Sequence, residues 1–451
     1  MTAPDHLTIT GPEDILGFIP HSLGYWPAHS LVAMTMQGKR LGATLRVDLP
    51  DASRCRGPGL AAFARTVRDY LEADDAADGV LLAVFSVGKV PDGAAGAAGV
   101  VPAESAALGS AVLARLLGEL ERTLGKAGLP VRDAWLVGER FWRNAYCQDP
   151  SCCAPPGRPI EEIRNSRLNA ELVFRGSSVG AAPGESADAA PPAQREPAVV
   201  KAEEGWTREF AGRWRDRTQF NAVLDVWERV FDAGGVRAVG AAAGGETAGE
   251  VAGGAAALPA GLAGYLRATL CVAAWRDAVL VMAAAGRTAA EAGAEEFCMF
   301  DGGTRSPAAL PGVDGIPAVQ GAGVSEGSGA LEGAGAGRAA DADTPGYGDV
   351  LLGLAPPVPD WRRLAALDRV LRQLGECGGG EARAAALTAR GWIEWCRGRG
   401  SYADALYTAA AMEQPGYRLA ELLAELGRRG TLCGWARRKE AAWQKFDPDA
   451  A

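Results

Sequence analysis

Three stretches of the chain, 177–200, 234–257 and 301–346, consist largely of Ala, Gly, Pro, Glu and Asp and carry few large apolar side chains. Segments of that kind cannot bury enough apolar surface to offset the entropy lost on ordering them. Folded structure is therefore expected between them, and linkers or inserts within them. A chain of 451 residues also exceeds what one hydrophobic core organises. The expected plan is an α/β domain over 1–176, a linker over 177–203 and an amphipathic helical region over 204–233. A low-complexity linker over 234–257, a buried helical segment over 258–300, a disordered insert over 301–346 and a helical subdomain over 347–447 complete it.

Within 1–176, strand-like and helix-like patterns alternate, which predicts an α/β layer architecture with a mixed sheet. "LTIT" reads as a short strand, and "TGPE" after it as a capping box in which Thr10 accepts from the Glu13 N–H while Glu13 reaches back. Pro20 is expected to end the first helix, with one further turn closed by Gly24. "SLVAMTM" and "LGATLRVDL", joined by "QGKR", have the pattern of a hairpin. Helices over Leu60–Leu71 and Glu104–Leu124, a buried strand "GVLLAVFSV", and a strand or hairpin in "VRDAWLVGERFWRNAY" follow.

The later part is predicted to be all helical. "WTREFAGRWRDRTQFNAVLDVWERVF" sets Trp206, Phe210, Trp214, Leu224, Trp227 and Phe231 at helical spacings, an amphipathic helix or broken pair whose aromatic stripe belongs to a core. The most apolar stretch, 262–286, contains Arg267, Arg276 and Asp277, each unfavourable at a bilayer centre, and reads as a buried helix pair. Gly400, Tyr402, Ala405 and Ala409 are similar to the centre of one tetratricopeptide unit, which predicts a helical hairpin and not a repeat array.

A formal net charge of −9 argues against a chain built to neutralise a phosphate backbone. The opening residues show no basic n-region and no apolar h-region, and nine cysteines, an odd number, suit a reducing compartment, so a cytoplasmic protein is expected. The 60 glycines, with abundant Ala and Arg, suggest a high-GC bacterial source.

"YCQDPSCCAPPGRPI" holds Cys147, Cys152 and Cys153. Structural zinc needs four ligands, and Cys-x4-Cys-Cys supplies at most three, so a fourth would have to come from His21, His29 or Cys55. Reduced thiols in a Pro-Gly turn, a metal site and a redox pair are the three readings; the turn is the default, with no metal and no cofactor expected. Arg46 and Asp48 point to one face of a strand, opposite Leu45, Val47 and Leu49, and close to the strand's end. They are candidates for an ion pair or a ligand site. Arg276 and Asp277, inside an apolar helical region, are candidates for an intrachain or interdomain salt link. Arg437, Arg438 and Lys439 read as a solvated basic face. His6, His21 and His29 are the only imidazoles, and no Gly-x-Ser-x-Gly elbow, Walker loop or His-Glu-x-x-His helix occurs, so catalysis through them is not expected.

"GPEDIL", "PHSLGYWPAHSLV" and "RVDLP", in that order, resemble the motifs of the bacterial family known as domain of unknown function 4192, with Tyr25 and Trp26 departing from its aromatic spacing. Tyr146 to Pro159 resembles that family's cysteine stretch, and "WRDAVL" and "PGYRLAELL" its C-terminal helices. The resemblance implies no particular activity. Without a catalytic motif, the expected role is a non-enzymatic binding or interaction protein, with an unknown protein or small-molecule partner and with neither nucleic acid nor membrane as target. The alternative is an enzyme whose pocket includes Arg46, Asp48 and the Cys147–Cys153 turn.

Overall fold

The computed structural model describes residues 8–50, 57–85, 110–147, 149, 156–184, 193–242, 258–301, 307–308 and 344–443. They fall into two compact units divided between Ala182 and Pro183.

In the first unit the order is α1 (Pro12–Leu23), β1 (Ser30–Gln37), β2 (Arg40–Asp48), α2 (Gly57–Leu71), β3 (Gly79–Phe85) and α3 (Ser110–Lys126). β4 (Val131–Val137), β5 (Phe141–Asn144), β6 (Arg158–Pro159), α4 (Glu161–Arg164) and α5 (Arg167–Phe174) follow. The strands form one mixed sheet in the order β2-β1-β3-β4-β5-β6. Only β3 and β4 run parallel, and a parallel pair needs a crossover, which α3 supplies. Side-chain alternation decides the layers. Leu31, Ala33, Leu82 and Val84 pack against Leu60 and Val67 of α2 and Leu116 and Leu120 of α3, while Val32, Met34, Leu81 and Phe85 pack against Leu16 and Ile19 of α1. Because both faces of β1 and β3 are covered, their sequences are continuous apolar runs.

Three local expectations are corrected. Thr8 to Thr10 form no strand, and none of the described strands pairs with them. The helix cap is Gly11, and the residue that reaches back is Asp14, not Glu13: Thr10 donates to Asp14 Oδ2 from its backbone N at 2.9 Å and from its hydroxyl at 2.6 Å. Asp14 Oδ1 also accepts the Leu168 N–H at 3.1 Å, so one buried carboxylate serves the starts of α1 and α5. α1 runs through Pro20 to Leu23, and Gly24, at φ 88°, ends it with its N–H on the Pro20 carbonyl. A proline in the last turn removes only one intrahelical bond.

The second unit is helical: α6 (Pro197–Phe210), α7 (Arg217–Ala242), α8 (Ala260–Leu270), α9 (Ala273–Ala285), α10 (Arg287–Glu296) and α11 (Tyr347–Leu351), then α12 (Trp361–Glu376), α13 (Glu381–Cys396), α14 (Gly400–Glu413), α15 (Arg418–Arg428) and α16 (Gly434–Arg437). The segments expected over 204–233, 258–300 and 347–447 share a single core, in which Trp227, Trp275, Trp392 and Trp435 are fully buried. α6 begins inside the stretch read as a linker, and α7 continues to Ala242. Most of the two longest low-apolar stretches, 243–257 and 309–343, lies outside the described residues.

Asp216 explains why the aromatic stripe is broken: its carboxylate accepts the Thr218 N–H at 2.8 Å, starting α7 afresh and turning the chain at 211–216. Trp214 falls in that turn and is 46% exposed instead of joining the core. In the α13–α14 hairpin, Ala403, Leu406, Tyr407 and Ala410 are the buried positions of α14, one register away from Ala405 and Ala409. The closest approach is made at Gly391, where the Tyr407 ring occupies the space a Cβ would take. Arg438 is no solvated charge: it donates to the carbonyls of Gly434 and Gly353, both at 3.2 Å.

Asp368 on α12 accepts from Arg390 at 3.0 Å and pairs with Arg397 at 3.3 Å. Burial pushes its carboxyl up, but the two guanidinium groups together outweigh burial and hold it below the ordinary carboxylate range. The native state therefore binds fewer protons here than the unfolded chain, and this contribution to stability is complete above the unfolded carboxyl's pKa of about 3.9 and is lost as pH falls through the lower native value. Asp368→Asn is expected to melt below the wild type at pH 7, with the gap narrowing as the solution is acidified to about pH 3. A gap independent of pH, read by circular dichroism, would show that the charge is not what matters.

Candidate functional site

Arg46 and Asp48 lie near the end of the edge strand β2 and pair with each other at 2.6 Å. Arg46 is further held by its Nε on the Ser30 hydroxyl at 2.8 Å, while Asp48 is 79% exposed at its side chain. Leu45, Val47 and Leu49 pack on the opposite face against the α2–α3 layer. Cys147 follows β5, where the Asn144 side chain accepts the N–H groups of Tyr146 and Cys147 at 2.8 and 3.1 Å and shapes the turn. Cys152 and Cys153 lie outside the described residues. Four strand spacings separate β2 from β5, about 19 Å, and β5 runs opposite to β2, so Asp48 and Cys147 leave from opposite ends of the sheet. Arg46, Asp48 and Cys147 thus line no common pocket.

Arg276 and Asp277 both belong to the helical unit and pair at 2.7 Å, with Arg276 also donating to the Tyr417 hydroxyl at 2.6 Å and tying α9 to the start of α15. Their link is internal to one unit and not a bridge between two. Among the described residues no group of three or more His, Cys, Asp or Glu is arranged to hold a metal ion. No single described helix is long and apolar enough to cross a membrane; α8 and α9 together have the composition, but they bend by 104° and are largely buried in the core.

One feature of the helical unit has the shape of a binding site. α8 packs so closely on α6 that a Cβ at Gly264 would stand 2.5 Å from the Ala202 Cβ and 2.7 Å from the Glu203 nitrogen. Arg267, on the next turn of α8, is 1% exposed and ties this crossing to the glycine-rich loop before α13. Its Nε donates to Glu203 at 2.6 Å, and its terminal nitrogens donate to the carbonyls of Leu374, Gly378 and Gly379. The loop can wrap a guanidinium because it is glycine: a Cβ at Gly378 would meet the Arg267 Cζ at 2.8 Å.

Over this frame run two clefts, of about 530 and 490 Å³, that meet at Thr207. The first is lined by Arg195, Glu204, Arg208 and the Gly379–Gly380 backbone, and the second by Phe210, Trp214, Cys271, Val272 and Ala274, with Glu381 at its rim. One face of α6, from Val200 to Ala211, therefore serves a polar half and an apolar half. Burial pushes the Cys271 thiol up to about 12, with Glu381 and Glu203 adding to the effect, so at neutral pH it is an apolar wall and not a nucleophile. Arg195 and Arg208 make no ion pair among the described residues. A third cleft, about 280 Å³ between α2 and α3, is smaller, and its Arg68 and Arg122 are already paired with Asp69 and Glu119.

Sequence reasoning missed this groove. Its one available signal was Trp214, which the helical spacing assigned to the core; Asp216, two residues on, was the competing sign of a helix start.

A mixed α/β unit followed by a helical unit with an open two-part groove defines a two-module protein. The chain belongs to the family described as Domain of unknown function (DUF4192), whose profile matches residues 12–309, all of the sheet and the helices through α10. The stretch 415–423 lies beyond that match. No curated protein and no solved structure matches the chain.

Proposed function

We propose that the protein is an interaction protein whose helical unit takes an extended, acidic-then-apolar peptide segment of a partner protein. The observation that carries this reading is the groove along α6, where Arg195 and Arg208 stand beside Glu204 at one end, with Glu203 held by Arg267, and the exposed Trp214 makes the other end apolar. From Val200 to Trp214 the helix and its extension cover roughly 20 Å at 1.5 Å per residue, the span of about six extended residues. A carboxylate near Arg195 and Arg208 supplies charge complementarity, and an aliphatic or aromatic side chain covers Trp214 and Val272. Clefts of this kind use the apolar wall for affinity and a few polar groups for orientation. The overall charge of −9 supports a protein partner over nucleic acid.

The test uses a fluorescein-labelled heptapeptide, Asp-Glu-Gly-Ser-Gly-Leu-Phe, and anisotropy with the full chain. Trp214→Ala is expected to weaken binding about tenfold or more, as loss of an aromatic anchor does, and Arg208→Glu to weaken it further at low salt than at high salt. Binding that neither substitution changes would remove the groove as the site.

A further inference from the structure

The cleft between α2 and α3 is small, but its wall has a feature that packing does not account for. Both helices lie on one face of the sheet, where Leu60, Val67 and Leu71 of α2 share a core with Leu116, Leu120 and Leu124 of α3. Thr123 continues the α3 row one turn beyond Leu120 and is 7% exposed, and it lines the cleft. A helical threonine commonly returns its hydroxyl to a carbonyl of the preceding turn. Thr66, Thr207 and Thr388 do so, at 3.1, 2.8 and 2.7 Å. The Thr123 hydroxyl bonds to no described residue, so a buried polar group at the cleft wall is left for a ligand to pair.

Four cations line the same cleft. Arg65 and Arg68 are three apart on α2, and Arg122 and Lys126 four apart on α3, so each pair shares a helix face. Arg68 is held by Asp69 and Glu72, and Arg122 by Glu119. Lys126 acts on Glu119 only through space, behind the Arg122 contact. Arg65 donates to the Ala61 carbonyl at 3.3 Å, and neither Arg65 nor Lys126 makes an ion pair among the described residues. The two cations outside the ion pairs therefore stand with the Thr123 hydroxyl on one wall system, one from each helix.

We propose that this cleft binds the phosphate group of a small, soluble phosphate monoester. Arg65 and Lys126 balance the two negative charges such a group carries. Together with Thr123 they offer donors from two helices to three terminal oxygens, one more acceptor than a carboxylate presents. Arg68 and Arg122, fixed by their carboxylates, form the sides, and Glu72 accepts a hydroxyl of the ester's organic part. The volume of about 280 Å³ suits a phosphate with a few carbons attached. The site belongs to the sheet unit and does not rest on the peptide groove.

The full chain is titrated calorimetrically with glycerol phosphate, and with sodium acetate at matched ionic strength as the monoanion control. One site for the ester and none for acetate are expected. Arg65→Gln and Lys126→Gln, both at exposed positions, should each raise the dissociation constant about tenfold, the worth of one charge-assisted hydrogen bond, while Arg418→Gln on α15 leaves it unchanged. Thr123→Val keeps the shape and loses no partner within the chain, so it should leave the melting temperature unchanged or raised while weakening binding about fivefold. A lowered melting temperature with unchanged affinity would make the hydroxyl structural and overturn its role. Because a lipid headgroup can carry the same group, phosphatidylcholine vesicles with and without phosphatidic acid form a separate arm, in which equal sedimentation is expected. No heat with millimolar glycerol phosphate, equal affinity for acetate, affinity unchanged when Arg65 and Lys126 are both replaced by Gln, or binding to the phosphatidic acid vesicles without binding to the free ester overturns the proposal.

Discussion

Arg267→Met will destabilise the helical unit by about 4 kcal/mol, within the range for breaking a buried charge network by removing one partner. The guanidinium satisfies Glu203 and the carbonyls of Leu374, Gly378 and Gly379 at once, and methionine fills much of the volume while donating nothing. Three carbonyls and a largely buried carboxylate lose their donor together. For a unit of this size the melting temperature should fall by roughly 10 °C. Urea denaturation followed by tryptophan fluorescence reads the change directly, since Trp227, Trp275, Trp392 and Trp435 all report on this core. A loss below about 1 kcal/mol would place Arg267 among ordinary surface ion pairs. The same variant should also weaken peptide binding, because the loop of Gly379 and Gly380 forms part of the groove wall.

Gly264→Val is the second large effect, and it arises from packing and not from charge. The added Cβ would meet the backbone of α6 at Glu203 N, 2.7 Å away, and the Ala202 carbonyl carbon, 2.9 Å away, neither of which can rotate aside as a side chain would. The helices must separate, and overpacking of this kind costs about 3 kcal/mol or more. Gly264→Ala is expected to fall between the wild type and valine. The contrast with Gly118 and Gly261, where a Cβ meets nothing within 4 Å, makes the control: alanine at either should be neutral or stabilising, since both are helical. Equal losses at Gly264 and Gly261 would show that helix propensity, not the α6–α8 contact, sets the result.

Much of the sheet unit was legible because its signals are local or periodic. The β1–β2 hairpin appears where "QGKR" separates two β-rich runs, and the alternation of Leu45, Val47 and Leu49 with Arg46 and Asp48 correctly divides β2 between its two faces. The helix starts were harder. "TGPE" satisfies the pattern of a capping box, yet Asp14 and not Glu13 takes the Thr10 donors, because Asp14 is also needed at the Leu168 N–H, 154 residues later. A pattern within four residues cannot express a demand from so far along the chain.

The amino-acid sequence by itself determined the class of each part: runs covered on both faces make buried strands, apolar stripes make helices, and glycine takes the positive-φ turns at Gly24 and Gly176. It also set the family, through motifs that keep their order from Pro12 onward. Only the tertiary structure decided which side chains meet. His21 meets Asn169 and Ser177 across up to 156 positions, and Arg195, Arg267 and Gly379 come from three separate stretches, so neither cluster leaves a spacing to read. The reason is physical: period and turn chemistry act between neighbours, whereas a hydrogen bond or a groove wall depends on the distance reached after the layers have packed.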